Sequence, residues 1–368
     1  MRVLYDHQIF IQNYGGISRY FCELIEQFRK EDSTINSILS LKISDNYYLK
    51  NIYGNKYTNF FSKSNFKGGK KVECFLNNKQ SSKMLKKMNY EAFHPTYYDP
   101  YFLKYIGDKP FVLTVYDMIH EVYPDLFKSS DKTIENKKLL IEKADKIIAI
   151  SESTKRDIIK LYDIPQEKIE VIYLASSLKL NSNCSDIIVN NLPERFILFV
   201  GQRAGYKNFD LFIEAISEIF KEDKGLKLVS VGGGEFSIKE LDMLSILNIK
   251  DKVIHITADD NTLSMLYKKA LVFVFPSLYE GFGIPVLEAF NCECPVALSN
   301  SSSFPEVAGE AGIYFDPTNK ASIKDSIVKI IYDKKLQNEL REKGKLQSQK
   351  FSWEKIAEKT KQLYSGLL

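Results

Sequence analysis

The chain lacks the features that would place it among membrane, secreted or disulfide-rich proteins. No apolar run among its 368 residues reaches the roughly 18 residues that cross a bilayer. Residues 1–6 show no signal-peptide pattern and are typical of a first strand. The five cysteines are scattered and odd in number, which favours a reducing compartment over a disulfide framework. The sequence therefore predicts a cytoplasmic protein.

Metal-ligating residues are also sparse. The four histidines form no H-E-x-x-H arrangement, and Cys292 and Cys294 form a C-x-C pair without a partner cluster. We expect both cysteines to be ordinary buried thiols. No metal site and no cofactor is predicted.

The charge is nearly balanced overall but unevenly distributed. Lys and Arg number 51 against 47 Asp and Glu, which makes nucleic acid a poor partner. Residues 55–90, however, hold nine lysines against the single acid Glu73, with Phe60, Phe61 and Phe66 interleaved. This segment is either a solvated loop and helix or a surface for the inner face of the membrane. In the second case each lysine would contribute about 1 kcal/mol near anionic lipid.

Strand and helix patterns alternate along almost the whole chain, which predicts an α/β protein of doubly wound, Rossmann-like domains. A polar, turn-forming stretch over residues 175–194 predicts a linker. We therefore expect an N-terminal domain over 1–178 and a C-terminal domain over 179–350. An amphipathic helix over 351–368 is expected to cross back onto the first domain. Two such domains facing each other would form a cleft at the carboxyl ends of their strands.

The most informative segment is the nonapeptide over residues 280–288, which begins with Glu280 and ends with Glu288. It follows an apolar run over 271–275 that predicts a buried parallel strand. Between the two carboxylates lie a glycine loop and the start of a helix, with Gly281, Phe282 and Gly283 in the loop. Such a loop lets backbone N–H groups approach a phosphate or sugar. From spacing alone, two solvated glutamates remain an open interpretation.

Other loops at predicted strand ends carry related signals. Arg203 and Lys207 stand four residues apart at a helix entry, where they suit a leaving diphosphate. Gly233 lies in a triple-glycine turn that permits close approach to a base or sugar, and Gly16 opens a helix after the first strand. Solvated cations and simple turns are the alternatives.

In the N-terminal half, Asp117 and His120 follow the predicted strand over 111–115. They therefore stand at the edge of the expected cleft, where a histidine can donate to a sugar or phosphate oxygen near neutral pH. A purely structural histidine is the alternative.

Taken together, these motifs resemble the retaining glycosyltransferases of carbohydrate family four, which include bacterial enzymes of polysaccharide assembly. Glu280 and Glu288 match the family's E-x7-E signature, and Arg203 with Lys207 match its diphosphate pair. The segments over 304–312 and 144–151 also resemble the family, so the resemblance covers nearly the full length. It implies the GT-B fold and metal-independent transfer of a hexose-type sugar, with retention, from a GDP- or UDP-sugar. The acceptor would be a glycan or lipid-linked sugar of surface polysaccharide such as lipopolysaccharide.

The resemblance also implies a role for each matched residue. Arg203 and Lys207 would hold the diphosphate, with the Gly16 backbone contributing from the first domain. Glu288 would bind the ribose, and Glu280 would contact hydroxyls of the donor sugar. No enzyme nucleophile is then required, because the leaving phosphate helps to deprotonate the acceptor and catalysis rests on positioning and charge.

The chain departs from the family at Tyr116, where many relatives have a histidine that approaches the reacting sugar. Its role either passes to His120, or to the Tyr116 hydroxyl, or the change marks an unusual acceptor. Two other functions stay open: a nucleotide-sugar epimerase on the same fold, and a non-catalytic nucleotide-sugar-binding partner. A phosphorylase-like function is weaker, since no cofactor-lysine context is found.

Overall fold

The computed structural model describes residues 1–30, 34–58, 68–180, 192–203 and 205–367, and it divides the chain into two units. Unit 1 comprises Met1–Leu174 and Trp353–Leu368, and unit 2 comprises Ala175–Ser352. The division after residue 174 lies close to the predicted one after residue 178. Much of the predicted linker, residues 181–191, lies outside the described residues.

The described part of unit 1 contains six short parallel strands. Two three-stranded ladders have the orders β2-β1-β3 and β4-β5-β6, and a single bridge from Phe93 to Phe111 connects them. The strands are β1 (Arg2–Tyr5), β2 (Asn36–Leu39), β3 (Ala92–His94), β4 (Val112–Val115), β5 (Lys146–Ala149) and β6 (Ile169–Val171). Strand β4 is buried along its whole length, as expected for a parallel strand covered on both faces.

Helices surround these strands, and the last helix of the chain returns to unit 1. They are α1 (Gly16–Lys30), α2 (Tyr47–Tyr53), α3 (Gly69–Lys86), α4 (Ile119–Val122), α5 (Thr133–Lys143) and α6 (Glu152–Tyr162), joined by α14 (Trp353–Ser365). Helix α1 buries an apolar stripe that includes Phe21, Leu24 and Phe28, and it packs against α14.

Unit 2 contains one six-stranded parallel sheet with the order β9-β8-β7-β10-β11-β12. Its strands are β7 (Phe196–Val200), β8 (Lys227–Val231), β9 (Val253–Ile256), β10 (Val272–Phe275), β11 (Val296–Ser299) and β12 (Gly312–Phe315). This is the strand order of dinucleotide-binding folds, and chain direction along the sheet reverses between β7 and β10. Ligands of such sheets bind beyond the carboxyl ends of the strands at that reversal, where the loops after β7 and β10 meet.

Seven helices lie in the described part of unit 2. They are α7 (Phe209–Glu222), α8 (Ile238–Ile246), α9 (Asp260–Lys269), α10 (Ile284–Asn291), α11 (Phe304–Ala308), α12 (Lys320–Ile331) and α13 (Lys334–Ser348). Helices α7 and α12 pack together over the sheet, and Phe212, Ile216 and Ile327 are fully buried in the core. The core thus fixes where α7 begins, next to the loop after β7.

Two smaller expectations concern helix length and the cysteines. No described helix is long and apolar enough to span a bilayer. Cys292 and Cys294 are free, buried thiols, as predicted.

Candidate functional site

The loops after β7 and β10 meet at the point where the unit 2 sheet reverses. Lys207 ends a single turn over Gly205–Lys207, and its Nζ lies 2.5 Å from Oε1 of Glu280 in the loop after β10. Both side chains are about one-seventh exposed, at 15% and 14%. The backbone joins the same loops, because the Leu278 N–H donates to the Tyr206 carbonyl at 2.8 Å. Two residues predicted from separate motifs therefore form one ion pair.

Hydrogen bonds fix the backbone on either side of this pair. Asn208 takes a left-handed conformation before α7, and its Nδ2 donates to the carbonyls of Pro276 at 3.1 Å and Pro317 at 2.7 Å. The Glu280 N–H donates to Ser302 Oγ at 3.0 Å, and Ser303 Oγ donates to the Glu280 carbonyl at 3.0 Å. These hydrogen bonds fix the loop after β10, and the loop in turn fixes the position of the Glu280 carboxylate.

The glycine loop between the two glutamates is tightly packed. Gly281, Phe282 and Gly283 are all buried. Gly283 has φ of +97°, and a Cβ there would lie 3.0 Å from the Phe304 ring. Glycine is thus required both by backbone conformation and by space. Helix α10 starts at the next residue, with Pro285 in its first turn.

Glu288 lies one turn into α10, as predicted, and faces α9. Its Oε2 accepts a hydrogen bond from the Tyr267 hydroxyl at 3.2 Å. Burial raises the pKa of Tyr267 well above its usual value, and the Glu288 charge raises it further. Tyr267 therefore stays a hydrogen-bond donor to this carboxylate. Tyr267 could not be identified from the sequence, because its position is typical of an ordinary core residue of an amphipathic helix.

Arg203 is also in the loop after β7, but its guanidinium contacts the protein itself. Nε donates to Glu240 Oε1 at 2.6 Å, and Nη1 donates to the Gly232 carbonyl at 2.6 Å. Nη2 donates to the carbonyls of Gly234 at 2.8 Å and Glu235 at 3.0 Å. The side chain is only 3% exposed. The structure thus brings Arg203 to the triple-glycine turn, and its role as a diphosphate ligand stays a prediction.

Gly233 is packed against Arg203. It has φ of +72°, and a Cβ there would lie 2.9 Å from Arg203 Nη1. The partner of Arg203, Glu240, was missed in the sequence, because nothing in a helix-capping Ser-x-x-Glu pattern indicates an ion pair to a loop 37 residues away.

In unit 1, Gly16 is the first residue of α1. The loop just after β1 also holds a buried carboxylate that sequence analysis missed, Asp6. It accepts hydrogen bonds from the Thr96 N–H at 2.9 Å, from Gln8 Nε2 at 2.7 Å and from the Tyr101 hydroxyl at 3.1 Å. This carboxylate ties together the loops that follow β1 and β3. An acid directly after a first strand was the available signal.

Asp117 and His120 both follow β4, and a buried cation holds their segment. Lys137 on α5 is fully buried, and its Nζ donates to the Asp117 carbonyl at 3.0 Å and to Glu121 Oε2 at 2.9 Å. The Tyr162 hydroxyl donates to the other oxygen of Glu121 at 3.0 Å. A lysine in an amphipathic helix predicts a solvated side chain, so this ion pair could not be read from the sequence.

The His120 ring stacks on Phe127 with 3.8 Å between ring centroids, and its Nε2 lies 3.6 Å from Asp131 Oδ2. Partial burial and the nearby Lys137 charge lower its pKa, while Asp117, Asp131 and Glu121 oppose the shift. His120 is therefore mainly neutral at pH 7 and can accept or donate one hydrogen bond.

Tyr116 is a buried residue of the core. Its hydroxyl donates to the Thr96 carbonyl at 3.3 Å, and its ring packs against Tyr20 and Tyr98. Burial raises its pKa well above the usual value. The hydroxyl is thus used inside unit 1, which favours His120 over Tyr116 for contact with a ligand.

Comparisons with known families and structures agree with the fold. The model for glycosyltransferase family 4 matches residues 14–176, and the model for glycosyl transferases group 1 matches residues 185–347. A sucrose-phosphate synthase from Thermosynechococcus elongatus aligns over 100% of this chain and 98% of its own, with a TM-score of 0.76 and 19% identity. The chain therefore belongs to the family-four glycosyltransferases and has the GT-B fold.

Two curated relatives are similar over part of the chain. The O-antigen chain mannosyltransferase RfbU of Salmonella typhimurium is 32% identical over 59% of this chain and 60% of its own length. A Campylobacter jejuni N-acetylgalactosaminyltransferase that acts on a diphospho-undecaprenol-linked sugar is 30% identical over 60% of each chain. The match spans about three-fifths of each relative.

Proposed function

We propose that this protein is a retaining glycosyltransferase that moves a hexose-type sugar from a nucleotide-sugar to a glycan or lipid-linked acceptor in surface polysaccharide synthesis. The observation that carries the proposal is the ion pair of Lys207 and Glu280 at the reversal of the unit 2 sheet. That position is where parallel sheets of this order bind nucleotides. A cation and a carboxylate held together there suit a ligand with a diphosphate next to sugar hydroxyls.

Each residue of the site has a chemical task in this proposal. Lys207 stabilises the charge that develops on the leaving diphosphate, which is the task a metal ion would otherwise have. Glu280 accepts hydrogen bonds from hydroxyls of the donor sugar, and Glu288 accepts them from the ribose. The backbone of the loop over 281–283 and the start of α10 add N–H donors. We propose that no bound metal and no cofactor is needed.

Acceptor binding falls to unit 1 in this proposal. Asp117 and His120 lie after β4, on a segment that the buried Lys137 holds in place. A neutral His120 can donate a hydrogen bond to an acceptor or donor hydroxyl. Gly16 opens α1, whose N-terminus suits a phosphate. A retaining reaction with no enzyme nucleophile then relies on positioning the two substrates.

The relatives suggest the first substrates to test. A mannosyltransferase and an N-acetylgalactosaminyltransferase favour GDP-mannose and UDP-N-acetylgalactosamine as donors. The acceptor named for the second relative favours a sugar linked to a polyprenyl diphosphate.

The experiment starts with thermal shifts of the purified protein against GDP, UDP and their sugar conjugates, since a ligand that binds only folded protein raises the melting temperature. The stabilising donor is then incubated with short polyprenyl-diphosphate glycans. NMR of the product reports whether the anomeric configuration is retained. Lys207→Met is expected to bind the donor more weakly, and Lys334→Met, an exposed lysine on α13, is the matched control.

Transfer of the sugar with retention supports the proposal. Interconversion of free nucleotide-sugars without transfer identifies an epimerase instead. Binding without any turnover, across the donor and acceptor panel, identifies a non-catalytic partner.

A second proposal concerns the lysine-rich segment, of which residues 59–67, including Phe60, Phe61 and Phe66, lie outside the described residues. In the described part, α3 places Lys71, Lys79 and Lys83 on its exposed side together with Phe75, which is 65% exposed. Glu73, the acid of this segment, is turned inward and only 4% exposed. We propose that this face contacts an anionic membrane surface, where a lipid-linked acceptor would be found.

Cosedimentation with phosphatidylglycerol vesicles at low salt tests this second proposal. Replacing Lys71, Lys79 and Lys83 by serine should abolish pelleting. The matched control replaces three exposed lysines of α13, Lys334, Lys335 and Lys345, and should leave it unchanged. Equal loss in both variants would mean that net charge, and not the α3 face, causes binding.

A further inference from the structure

Most N–H groups of the Arg203 guanidinium donate hydrogen bonds to acceptors within unit 2. Arginine carries five N–H groups, and four of them donate to Glu240 and to the carbonyls of Gly232, Gly234 and Glu235, with the Gly233 carbonyl a further 3.5 Å contact of Nη2. The guanidinium also lies 4.5 Å from the centre of the Phe236 ring. Among the described residues, one N–H group of Arg203 therefore has no acceptor and remains for a ligand.

The space beside Arg203 also disfavours a diphosphate. A cavity of about 720 Å³ that Arg203 lines is bordered by four acidic side chains, Asp210, Glu214, Glu235 and Glu240. Its one lysine, Lys239, lies 3.2 Å from Asp210 Oδ2. A doubly charged diphosphate in this cavity would meet more negative than positive charge.

The orientation of the carbonyls that Arg203 binds also determines the direction of the peptide N–H groups in the same loop. In a planar trans peptide the C=O of one residue and the N–H of the next point in opposite directions. The N–H groups of Gly233, Glu235 and Phe236 therefore point away from Arg203, and none of them donates to another described residue. Because Arg203 binds the carbonyls on one side of the loop, these peptide N–H groups face outward on the other side. They lie at the carboxyl end of β8, next to the sheet reversal.

Glu240 holds this arrangement from the other side. Its Oε1 accepts from Arg203, and its Oε2 accepts from the N–H and the hydroxyl of Ser237, which caps α8. Burial opposes ionisation of Glu240, but the hydrogen bonds from Arg203 and Ser237 outweigh it and hold its pKa below the usual value. The carboxylate thus joins the loop after β7 to the start of α8.

We infer that Arg203 and Glu240 are positioning residues that act on the nucleotide through the glycine loop over 232–235, whose outward N–H groups contact the nucleoside side of the donor. The inference rests on the proposed function, because it needs a nucleotide at this edge of the sheet. It assigns neutralisation of the diphosphate to Lys207 alone within unit 2.

The two possible roles of Arg203 predict opposite effects on nucleotide binding when the Glu240 charge is removed. If Arg203 acts through the loop, loss of the Glu240 charge loosens the loop and weakens nucleotide binding. If Arg203 binds the diphosphate directly, Glu240 competes with the phosphate, and neutralising it strengthens binding. Lys207, whose Nζ donates to Glu280 Oε1 at 2.5 Å, serves as the reference for a direct phosphate contact.

The experiment measures the affinity of a nucleoside monophosphate and diphosphate, UMP and UDP or GMP and GDP, by calorimetry in Arg203→Lys, Glu240→Gln and Lys207→Met. We expect Arg203→Lys and Glu240→Gln to weaken both nucleotides by the same factor, about tenfold, as for the loss of an ordered hydrogen bond or two. Lys207→Met should weaken the diphosphate more than the monophosphate. Circular dichroism confirms that each variant is folded.

Tighter or unchanged diphosphate binding in Glu240→Gln would overturn the inference, as would an Arg203→Lys defect confined to the diphosphate. Hydrogen exchange of amides 232–236 in ligand-free Glu240→Gln gives an independent readout, and it should accelerate at least tenfold; an unchanged rate would also refute the inference. If wild-type protein binds neither nucleotide, the proposed function fails, and exchange alone shows whether Arg203 and Glu240 hold the loop.

Discussion

Replacing Tyr364 by phenylalanine should destabilise unit 1 strongly, although the change removes one oxygen atom. Tyr364 lies on α14 and is fully buried. Its hydroxyl is 3.0 Å from the Tyr5 hydroxyl on β1 and 2.6 Å from His94 Nδ1 on β3, and His94 Nε2 is 2.9 Å from Thr114 Oγ1 on β4. The hydroxyl therefore ties α14 directly to β1 and β3, and through the His94 ring to β4.

The size of the loss in unfolding free energy follows from the buried polar groups that lose the Tyr364 hydroxyl as a partner. The substitution leaves two buried polar groups, the Tyr5 hydroxyl and His94 Nδ1, each without this partner. An unsatisfied buried group costs about 1–3 kcal/mol. For two such groups we expect the free energy of unfolding to fall by about 2–6 kcal/mol.

The protein supplies its own reporter for this measurement. Trp353 is the only tryptophan, it begins α14, and its ring centre lies 6.3 Å from that of Tyr20. Urea unfolding followed by tryptophan fluorescence therefore reports the docking of α14. Tyr14→Phe, at a side chain 75% exposed, is the matched control and should change stability by less than about 0.5 kcal/mol. A Tyr364→Phe midpoint equal to that of the control would refute the reasoning.

Three further predictions concern single residues. Gly283→Ala should lower stability by about 1–3 kcal/mol in thermal unfolding, because its φ of +97° and the Phe304 ring both oppose a Cβ, and a normal melting temperature would contradict this. Ser151→Ala should lower stability by about 1 kcal/mol in urea titration, because it removes the cap that accepts from the Thr154 N–H at 3.0 Å at the start of α6. Burial lowers the pKa of His94 to about 3, so the unfolded chain binds one more proton between about pH 3 and pH 6.5, and stability should fall as the pH drops through that window. The loss attributable to His94 is about 2 kcal/mol at pH 5, and a His94→Gln variant with an unchanged acid limb in urea titrations would contradict the assignment.

Local sequence patterns predicted much of the fold because most strands here are continuous apolar runs at the positions expected. Strand β10 is an example, and both glutamates of the nonapeptide come after it in the chain. Strand β3 was missed because its three residues, Ala92–His94, are too few for a periodic signal, and a histidine within it indicates a polar segment. Its burial depends on Tyr364, which is 270 residues away in the chain.

The residues of the candidate site also differ in whether a local sequence pattern predicts them. Lys207 and Glu280 could be predicted because each follows a strand, and parallel strands end at one edge. The partners of Arg203 and the burial of Lys137 could not, since both depend on contacts between distant segments that have no local pattern. From sequence alone, an arginine in a loop such as Arg203 is interpreted as a phosphate ligand, and a lysine in a helix such as Lys137 as a solvated side chain. Only the acceptors around each side chain in the structure show otherwise.

The return of α14 to unit 1 has a consequence for how the protein is made. This helix is translated after every residue of unit 2, yet Tyr5, His94 and Trp353 show that it completes the interior of unit 1. During synthesis, α1 therefore lacks its packing partner α14 while the ribosome adds the 178 residues of the other unit. A stop codon before Trp353 would therefore remove part of the interior of the half of the protein that is synthesised first.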